Sequence, residues 1–232
     1  MKNIVILTGA GISAESGIKT FRGSDGLWEN HKVTDVATPE AWDRDPELVL
    51  RFYNERRKQI RRAQPNKAHR ALALLEKTYI VHIITQNIDD LHERAGSGQV
   101  MHLHGEINQS RSSIDENLVY EIVDVNMKMG ELCELGSQLR PNIVWFGEAV
   151  PMIEKAIPLM QAADIIIVIG TSLQVYPAAG LLDFSHSETK IYNIDPNCVV
   201  NIKDDRFTII NQKAGTAVPQ LVKELIQADA ES

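Results

Sequence analysis

Residues 4–17 read Ile-Val-Ile-Leu-Thr-Gly-Ala-Gly-Ile-Ser-Ala-Glu-Ser-Gly and carry the clearest structural signal in the chain. The run opens with four apolar residues, Ile4–Leu7, which are typical of a strand that is buried on both faces. It continues as Gly9–Gly11 and fits the pattern G-x-G-x-x-A. In that pattern the first glycine permits a tight turn and the second lets the backbone approach a pyrophosphate. The stretch therefore predicts a strand, a phosphate-binding loop and a helix whose N-terminus stabilises the anion.

Two further interpretations of this loop have to be weighed. A glycine-rich turn that binds no ligand has the same short pattern. A hydride-transferring dehydrogenase would carry an acidic residue at the end of a second strand, about 20 residues further on. The chain instead continues as Thr20-Phe21-Arg22-Gly23, in what the pattern predicts to be a loop. Hydride transfer is therefore disfavoured.

Apolar, β-branched runs recur along the chain and predict the other strands. They lie at Tyr79–Thr85, Ile143–Phe146, Ile165–Ile169, Ile191–Ile194 and Phe207–Ile210. Helical patterns such as Lys67–Lys77 and Val218–Ile226 separate them. Alternation of strands and helices predicts an α/β protein with a doubly wound, parallel, Rossmann-like sheet.

Two stretches do not fit this sheet. The segment 25–66 contains a helical pattern, Pro46–Arg62, with an apolar stripe and a strongly basic face, whereas 105–141 is polar and weakly patterned. Their positions predict two insertions that pair into a smaller lobe. We therefore expect a Rossmann-like domain of residues 1–24, 67–104 and 142–232, and a small domain of residues 25–66 and 105–141.

Composition excludes several classes of protein. The 232 residues are 44% hydrophobic and 24% charged, as in ordinary globular proteins, and the net charge of −7 argues against non-specific nucleic-acid binding. No apolar run approaches the roughly 20 residues that span a membrane, and Ile4–Leu7 is shorter than the apolar part of a secretory signal, about 7–15 residues. Two distant cysteines, Cys133 and Cys198, exclude a disulfide scaffold and favour the cytoplasm. Nothing in the sequence indicates the oligomeric state.

Clusters of short polar side chains follow three of the predicted strands. They are Thr85–Asp90, Gly170–Ser172 and Asn193–Asp195. Each alone is compatible with a solvated turn, because these residue types favour turns. Ligands of open α/β sheets bind outside the carboxyl ends of the strands. Three such clusters together with the glycine loop predict a nucleotide site.

Two histidines, His102 and His104, alternate in an extended segment and so share one face. A histidine in a cleft beside a nucleotide can act as a general base near neutral pH. Spacing alone does not choose between the two, and a metal pair or plain hydrogen-bonded side chains are the other interpretations. We interpret His69 and His82, in a predicted helix and strand, as structural.

The order of these motifs resembles the sirtuins, the NAD-dependent protein-lysine deacylases. The matching residues are 9–13, 20–22, 86–89, 104–105, 144–148, 170–172 and Asn193, and they cover nearly the whole chain. Residues 14–17 (Ala-Glu-Ser-Gly) and 37–40 (Ala-Thr-Pro-Glu) are most similar to the bacterial CobB-like, class III branch.

The resemblance implies which residues bind and react. It assigns NAD contacts to Gly9, Ala10, Gly11, Ser13, Ala14, Thr20, Phe21, Arg22, Gln86, Asn87, Ile88, Asp89, Gly170, Thr171, Ser172, Asn193, Asp195 and Ala214. It places an extended substrate peptide along Val144, Trp145, Phe146, Gly147 and Glu148. His104, which Gly105 and Glu106 follow directly, matches the family's base, and Asn87 is the second catalytic residue. The implied products are free lysine, nicotinamide and O-acyl-ADP-ribose.

Tyr53 and Arg56 bear on the acyl group. They lie three residues apart in the basic helix and so share a face. From spacing alone this is a solvated face. The family match implies instead that the pair recognises the carboxylate of succinyl- or malonyl-lysine, for which an arginine fork and a phenol hydroxyl are suited.

The sequence departs from the family at its metal site. Most sirtuins hold a structural zinc with two Cys-x-x-Cys pairs, whereas 105–141 contains only Cys133. Structural zinc needs about four ligands, so we predict none here. The segment must then fold through its own apolar residues or remain mobile; those residues are Leu118, Val119, Ile122, Val123, Met127, Leu132 and Leu135.

Two other functions are compatible with the same motifs. One is mono-ADP-ribosyl transfer to protein, which also consumes NAD. The other is a non-catalytic NAD-binding module, which the missing zinc site makes conceivable. His104 and the Tyr53–Arg56 pair favour deacylation over both.

Overall fold

The structure is a computed structural model of the chain, and it describes residues 1–19, 27–28, 31–171, 176–198 and 204–231. Within these ranges, no helix has the length and apolar character needed to cross a membrane.

A parallel sheet of six strands organises the larger part of the molecule. The strands are β1 (Asn3–Thr8), β4 (Ile80–Thr85), β5 (Val100–His102), β9 (Ile165–Ile169), β10 (Lys190–Ile194) and β11 (Phe207–Ile210). Their order across the sheet is β11-β10-β9-β1-β4-β5, and every neighbouring pair is parallel. This order confirms the predicted doubly wound α/β fold.

Helices cover both faces of this sheet, which explains why its strands are apolar without alternation. The helices are α5 (Lys67–Leu75) and α8 (Ala214–Ala230) on one face, and α7 (Met152–Gln161) with the 3₁₀ helix Ala178–Phe184 on the other. Along β1, Ile4 and Ile6 pack toward the first pair, while Val5 and Leu7 pack toward the second.

The strand order reverses next to β1. From β1 the chain first builds outward through β4 to β5, and then returns to β9 on the other side of β1. A crevice opens at the carboxyl ends of strands where such a reversal occurs, and ligands of open α/β sheets bind there. The glycine loop follows β1 and so lies at this point. The predicted helix after it is α1 (Ala10–Ser13), which has only one turn and is followed directly by a 3₁₀ turn.

One predicted strand is wrong. Only Ile143 of the run Ile143–Phe146 is in a strand, and that strand belongs to a separate sheet, while residues 144–148 form a loop. The run is apolar because Ile143 and Trp145 are buried in a third hydrophobic core. The remaining place in the main sheet is taken by β5.

The two stretches outside the main sheet contain their own elements. The first contains a pair of antiparallel strands of two residues each, β2 (Leu27–Trp28) and β3 (His31–Lys32). Three helices follow them: α2 (Val33–Val36), α3 (Pro39–Arg44) and α4 (Pro46–Arg62). Asp45 caps α4 by accepting from the Leu48 amide, and Pro46 occupies its first turn. The second holds an antiparallel sheet of β6 (Gly105–Ser112), β7 (Val119–Glu121) and β8 (Leu139–Ile143). A short helix, α6 (Leu91–Arg94), lies between β4 and β5.

Polar contacts rather than an apolar core hold the segment that follows β7. Of the apolar residues expected to stabilise it, Met127 is buried, but Val119, Val123, Leu132 and Leu135 are exposed. Asn54 of α4 instead bonds the backbone of Met127 twice, with its Nδ2 donating to the carbonyl oxygen and its Oδ1 accepting from the amide.

Arg57, which the sequence placed on a solvated basic face, is completely buried. Its Nε donates to the Ile107 carbonyl oxygen at 2.7 Å, and its Nη1 donates to the Val125 carbonyl oxygen and to Asn54 Oδ1. Burial and the neighbouring Arg61 lower the pKa of Arg57 to about 10, so it stays charged at neutral pH. One buried cation thus joins α4 both to β6 and to the segment that follows β7.

Candidate active site

A single cavity lies at the carboxyl ends of β1, β4 and β9 and extends to α4 and the loop after β8; we call it the site cavity. Most of the residues predicted to bind or react line it: Gly9, Ala10, Gly11, Ser13, Tyr53, Arg56, Gln86, Asn87, Ile88, Asp89, His104, Val144, Trp145, Phe146, Gly147, Glu148, Gly170 and Thr171. Residues as far apart in the chain as Gly9 and Thr171 therefore converge on one space.

Other predicted residues lie elsewhere. Thr20, Phe21, Arg22 and Ser172 are outside the described residues. Ala14, Asn193, Asp195 and Ala214 are described but do not line the site cavity. Asn193 is nevertheless buried at the end of β10, and its Oδ1 has no hydrogen-bond partner within the described ranges. A buried acceptor of this kind suits a ligand hydroxyl group.

The glycines at this end of the sheet are packed too tightly to be replaced by residues with a side chain. A Cβ on Gly11 would lie 2.6 Å from Gly170 Cα, and a Cβ on Gly170 would lie 2.4 Å from the Ile12 amide nitrogen. Gly170 also has a φ of +63°, which favours glycine. Gly11 donates its amide proton to the Gly170 carbonyl oxygen. The ends of β1 and β9 thus form a smooth backbone surface that suits a pyrophosphate.

Asn87, Ser13 and Asp89 join the end of β4 to the glycine loop. Asn87 Nδ2 donates to the Gly9 carbonyl oxygen at 3.1 Å, and Ser13 Oγ donates to Asp89 Oδ2 at 2.9 Å. Burial raises the pKa of Asp89. The hydrogen bonds from Ser13 and the Leu91 amide lower this pKa, but they offset the effect of burial only in part. These contacts fix the floor of the cavity.

His104 lines the site cavity, and a hydrogen bond shows which of its ring nitrogens carries the proton. Its Nδ1 lies 2.9 Å from the Gln86 carbonyl oxygen, which can only accept, so Nδ1 carries the proton. The neutral ring then has Nε2 as an acceptor. Burial lowers the pKa of His104, and the bond to Gln86 offsets this only in part. His104 is therefore a neutral imidazole at physiological pH, as a general base requires.

His102 is held differently. Its Nδ1 lies 2.9 Å from the Asn87 carbonyl oxygen, and its Nε2 lies 2.8 Å from Glu93 Oε1. Burial lowers the pKa of His102, but the hydrogen bond and charge of Glu93 more than offset this, so the pKa is raised. With both nitrogens donating, His102 has no acceptor to offer a substrate. Of the two histidines, His104 is therefore the one whose geometry suits a general base, a distinction that spacing left open.

Tyr53 and Arg56 point inward from α4. Their exposed fractions are 0% and 5%, so the alternative of a solvated face is wrong for this pair, whereas Arg51 on the same helix is exposed. Tyr53 Oη accepts a hydrogen bond from Trp145 Nε1 at 3.1 Å. Burial raises the pKa of Tyr53, so the phenol stays protonated.

Glu148 organises the loop at residues 144–148. Its carboxylate accepts from Arg140 Nη1 at 2.7 Å, from Arg111, and from the Trp145 amide at 2.7 Å. Burial raises the pKa of Glu148, but Arg140 and the Trp145 amide more than offset this and keep the carboxylate charged. The Glu148 side chain is thus engaged inside the protein, and only its backbone is left for a peptide.

The sequence did not reveal every lining residue. Ile18, Lys19, Ala37, Ile60, Ile143, Val150, Tyr176 and Pro177 also line the site cavity. Most are apolar, and their patterns do not differ from those of ordinary core residues. Glu93, which contacts His102 but does not line the site cavity, was also missed, although its place three residues after the Thr85–Asp90 cluster was a usable signal. Among the described residues, no group of three or more His, Cys, Asp or Glu side chains is arranged to hold a metal ion.

Comparison with known proteins agrees with this geometry. A model of the Sir2 family matches residues 9–177. A Helicobacter pylori protein named NAD-dependent protein deacylase is 55% identical over 227 residues, covering 98% of this chain and 99% of that protein. A Bacteroides thetaiotaomicron protein of the same name is 50% identical over 233 residues, covering 98% and 100%.

Solved structures are similar over the same length. A Sir2 homologue in complex with NAD superposes with a TM-score of 0.87 and is 42% identical, covering 98% of this chain and 91% of that chain. A mutant Sir2 homologue in complex with ADP ribose has a TM-score of 0.89 and is 41% identical, covering 100% and 94%.

Proposed function

The chain belongs to the Sir2 family and is an NAD-dependent protein-lysine deacylase, and from that premise we propose that it removes succinyl and malonyl as well as acetyl groups. One observation carries this proposal. Tyr53 and Arg56 are buried in the wall of the same cavity that His104 lines. Succinyl and malonyl groups end in a carboxylate, which a guanidinium binds bidentately and a phenol binds as a donor.

The residues fit NAD. The close backbone approach of Gly9, Gly11 and Gly170 suits its pyrophosphate, and the buried Oδ1 of Asn193 suits a ribose hydroxyl. Gln86, Asn87 and Asp89 surround the space where the nicotinamide ribose belongs. When bound, NAD supplies the ribose carbon that receives the acyl oxygen as nicotinamide leaves.

His104 performs the proton transfer. Its Nδ1 is fixed on the Gln86 carbonyl oxygen, so Nε2 is the atom that takes a proton from a ribose hydroxyl. Asn87 keeps this carbonyl in place, because its side chain is tied to the Gly9 carbonyl oxygen. The products are free lysine, nicotinamide and O-acyl-ADP-ribose.

The acylated protein binds along residues 144–148 in an extended form. The amides of Val144, Trp145, Phe146 and Glu148 already donate within the chain, to the His104 carbonyl, the Glu148 carboxylate, the Ala37 carbonyl and the Trp145 carbonyl. Apart from the Gly147 amide, the peptide therefore pairs with carbonyl oxygens of this loop and donates its own amide protons to them. Backbone pairing of this type tolerates many sequences.

Two further proposals concern the whole chain. Residues 1–24, 67–104 and 142–232 form the NAD-binding domain, and 25–66 with 105–141 form the small domain, since Arg57 and Asn54 bond the second insertion to α4. The enzyme works in the cytoplasm, which the free thiols of Cys133 and Cys198 support. Cell fractionation tests the second proposal.

Matched acetyl- and succinyl-lysine peptides, incubated with NAD and followed by mass spectrometry, test the acyl proposal. The unmutated enzyme should act on both. Arg56→Met should lose about 10- to 100-fold of kcat/KM on the succinyl peptide, the worth of a charged hydrogen bond, and about twofold or less on the acetyl peptide. Arg51→Met, on the exposed side of the same helix, is the control. Action on acetyl-lysine alone by the unmutated enzyme would refute the carboxylate pocket, and equal losses in Arg56→Met would remove Arg56 from selectivity.

A further inference from the structure

Trp145 and Tyr53 are joined by one hydrogen bond in the wall of the site cavity. The indole Nε1 lies 3.1 Å from the Tyr53 hydroxyl oxygen, and the two residues are 92 apart in the chain. Both are almost fully buried, with exposed fractions of 2% and 0%. The direction of this bond is certain, because the indole nitrogen of tryptophan can only donate.

This direction decides what the Tyr53 hydroxyl can offer. Its oxygen accepts from Trp145, so its own proton goes to a different acceptor. The terminal carboxylate of a succinyl or malonyl group is an acceptor without a proton at neutral pH. The methyl group that ends an acetyl chain accepts nothing. A tyrosine held in this way stabilises a bound succinyl or malonyl group through a hydrogen bond and gives no such stabilisation to an acetyl group.

Neighbouring residues hold the indole in the position from which it donates to Tyr53. The guanidinium carbon of Arg140 lies 3.3 Å from the centroid of the Trp145 ring, and the Trp42 ring lies 5.8 Å away. The Trp145 amide donates to Glu148, and Glu148 accepts from Arg140. Arg140 and Glu148 therefore fix both the ring and the backbone of Trp145.

We propose that Trp145 is a positioning residue for acyl selectivity, which orients the Tyr53 hydroxyl as a donor toward a carboxylate-ended acyl group. This inference rests on the proposed function, since it needs the carboxylate pocket to exist. It adds Trp145 to the Tyr53–Arg56 pair. It also gives Arg140 and Glu148 an indirect part in selectivity, because they hold Trp145 in place. The phenol remains a donor throughout the working range, because burial raises the pKa of Tyr53.

Trp145→Phe tests the proposal, because it keeps an aromatic ring under Arg140 and removes the donor. We expect the ratio of succinyl to acetyl kcat/KM to fall about tenfold, consistent with one hydrogen bond. Tyr53→Phe should show the same selective loss. In the Tyr53→Phe background, Trp145→Phe should cause no further change in the ratio of succinyl to acetyl activity, since the two residues act through one bond.

A readout that needs no turnover guards against a Trp145→Phe variant that fails to fold. The indole Nε1–H resonances of the unmutated protein and of Tyr53→Phe are compared by NMR, which identifies the resonance sensitive to this bond. Adding the succinyl peptide should move that resonance more than adding the acetyl peptide does.

The outcomes separate the two proposals. If the unmutated enzyme does not remove succinyl, both the carboxylate pocket and the role of Trp145 are rejected. If it removes succinyl but Trp145→Phe lowers both activities equally, only the role of Trp145 is rejected. The role of Trp145 would also be rejected if Trp145→Phe lowered the ratio of succinyl to acetyl activity as much in the Tyr53→Phe background as in the unmutated enzyme. An indole resonance that the succinyl peptide leaves unmoved would reject it as well.

Discussion

The Nδ1 atoms of His102 and His104 each lie 2.9 Å from a backbone carbonyl oxygen, and the two carbonyls belong to consecutive residues, Asn87 and Gln86. His102 ends β5 and His104 lies in the turn that follows it, and the two rings contact two successive peptide groups at the end of β4. They differ at Nε2, where His102 meets Glu93 and His104 lines the site cavity. The two imidazoles therefore differ in the direction of their pKa shifts, and the difference lies in the Glu93 carboxylate.

The first prediction is that these two histidines titrate on opposite sides of the ordinary value of about 6.5. Burial lowers the pKa of both, but Glu93 more than offsets it for His102 alone. On raising the pH, His104 should lose its proton first and His102 last. NMR of the imidazole groups measures this. Glu93→Gln should bring the pKa of His102 down and leave that of His104 in place. Coincident titrations would contradict the assignment.

The second prediction concerns His104→Ala. Loss of the general base should lower kcat by about 10²- to 10⁴-fold. NAD affinity, measured calorimetrically, should be retained, because the glycine loop is untouched. In the unmutated enzyme kcat/KM should fall with decreasing pH only below about 6.5, because the base must be neutral and burial lowers the pKa of His104. His186→Ala, at an exposed histidine, is the control. Unchanged turnover in His104→Ala would require another base.

The third prediction concerns the glycine loop. Gly11→Ala would place a Cβ 2.6 Å from Gly170 Cα, and backbone cannot move aside cheaply. We expect NAD affinity to fall by about tenfold or more, since the new methyl group pushes apart the surface that holds the pyrophosphate. Titration calorimetry with NAD measures this. Gly180→Ala is the control, because its Cβ would meet the side chains of Tyr176 at 3.6 Å and Asp183 at 4.0 Å, which are ordinary contacts. Similar affinity in both variants would show that the loop yields or that NAD binds elsewhere.

The fourth prediction concerns the stability of the small lobe. Arg57→Met would leave the Ile107 and Val125 carbonyl oxygens without their buried donor. We expect the free energy of unfolding to fall by about 2–6 kcal/mol, at about 1–3 kcal/mol for each of these two unsatisfied carbonyl groups. Denaturant unfolding measures this. Arg51→Met removes an exposed ion pair with Glu47 from the same helix and should cost about 1 kcal/mol or less. Equal losses in the two variants would show that Arg57 does not hold the segment.

Several features could be predicted because the signal is local. The runs Ile4–Leu7 and Ile165–Ile169 are apolar without alternation, and only burial on both faces of a sheet explains such runs. Gly9 and Gly11 directly follow the first of them, and parallel strands bring their carboxyl ends to one edge. The position of the site at this edge of the sheet follows from these local features.

Other features could not be predicted, because they depend on residues far away in the chain. Pro46–Arg62 is basic on several sides, and nothing in its own pattern distinguishes the buried Arg57 from the exposed Arg51. The distinction comes from carbonyl oxygens 50 and 68 residues further on. The apolar run Ile143–Phe146 was likewise mistaken for a strand of the main sheet. Arg140 and Glu148 turn it into a loop by bonding its backbone and stacking on its indole.

The sequence by itself determined the α/β architecture, the phosphate loop and the family, because strand burial and close backbone approach restrict residue types at each position. Only the tertiary structure decided which histidine is neutral, which arginine is buried, and in which direction the Tyr53 hydroxyl donates. Those properties depend on the distance to a partner such as Glu93, Ile107 or Trp145. Hydrogen bonds act over about 3 Å, and chain folding alone brings such partners within that range.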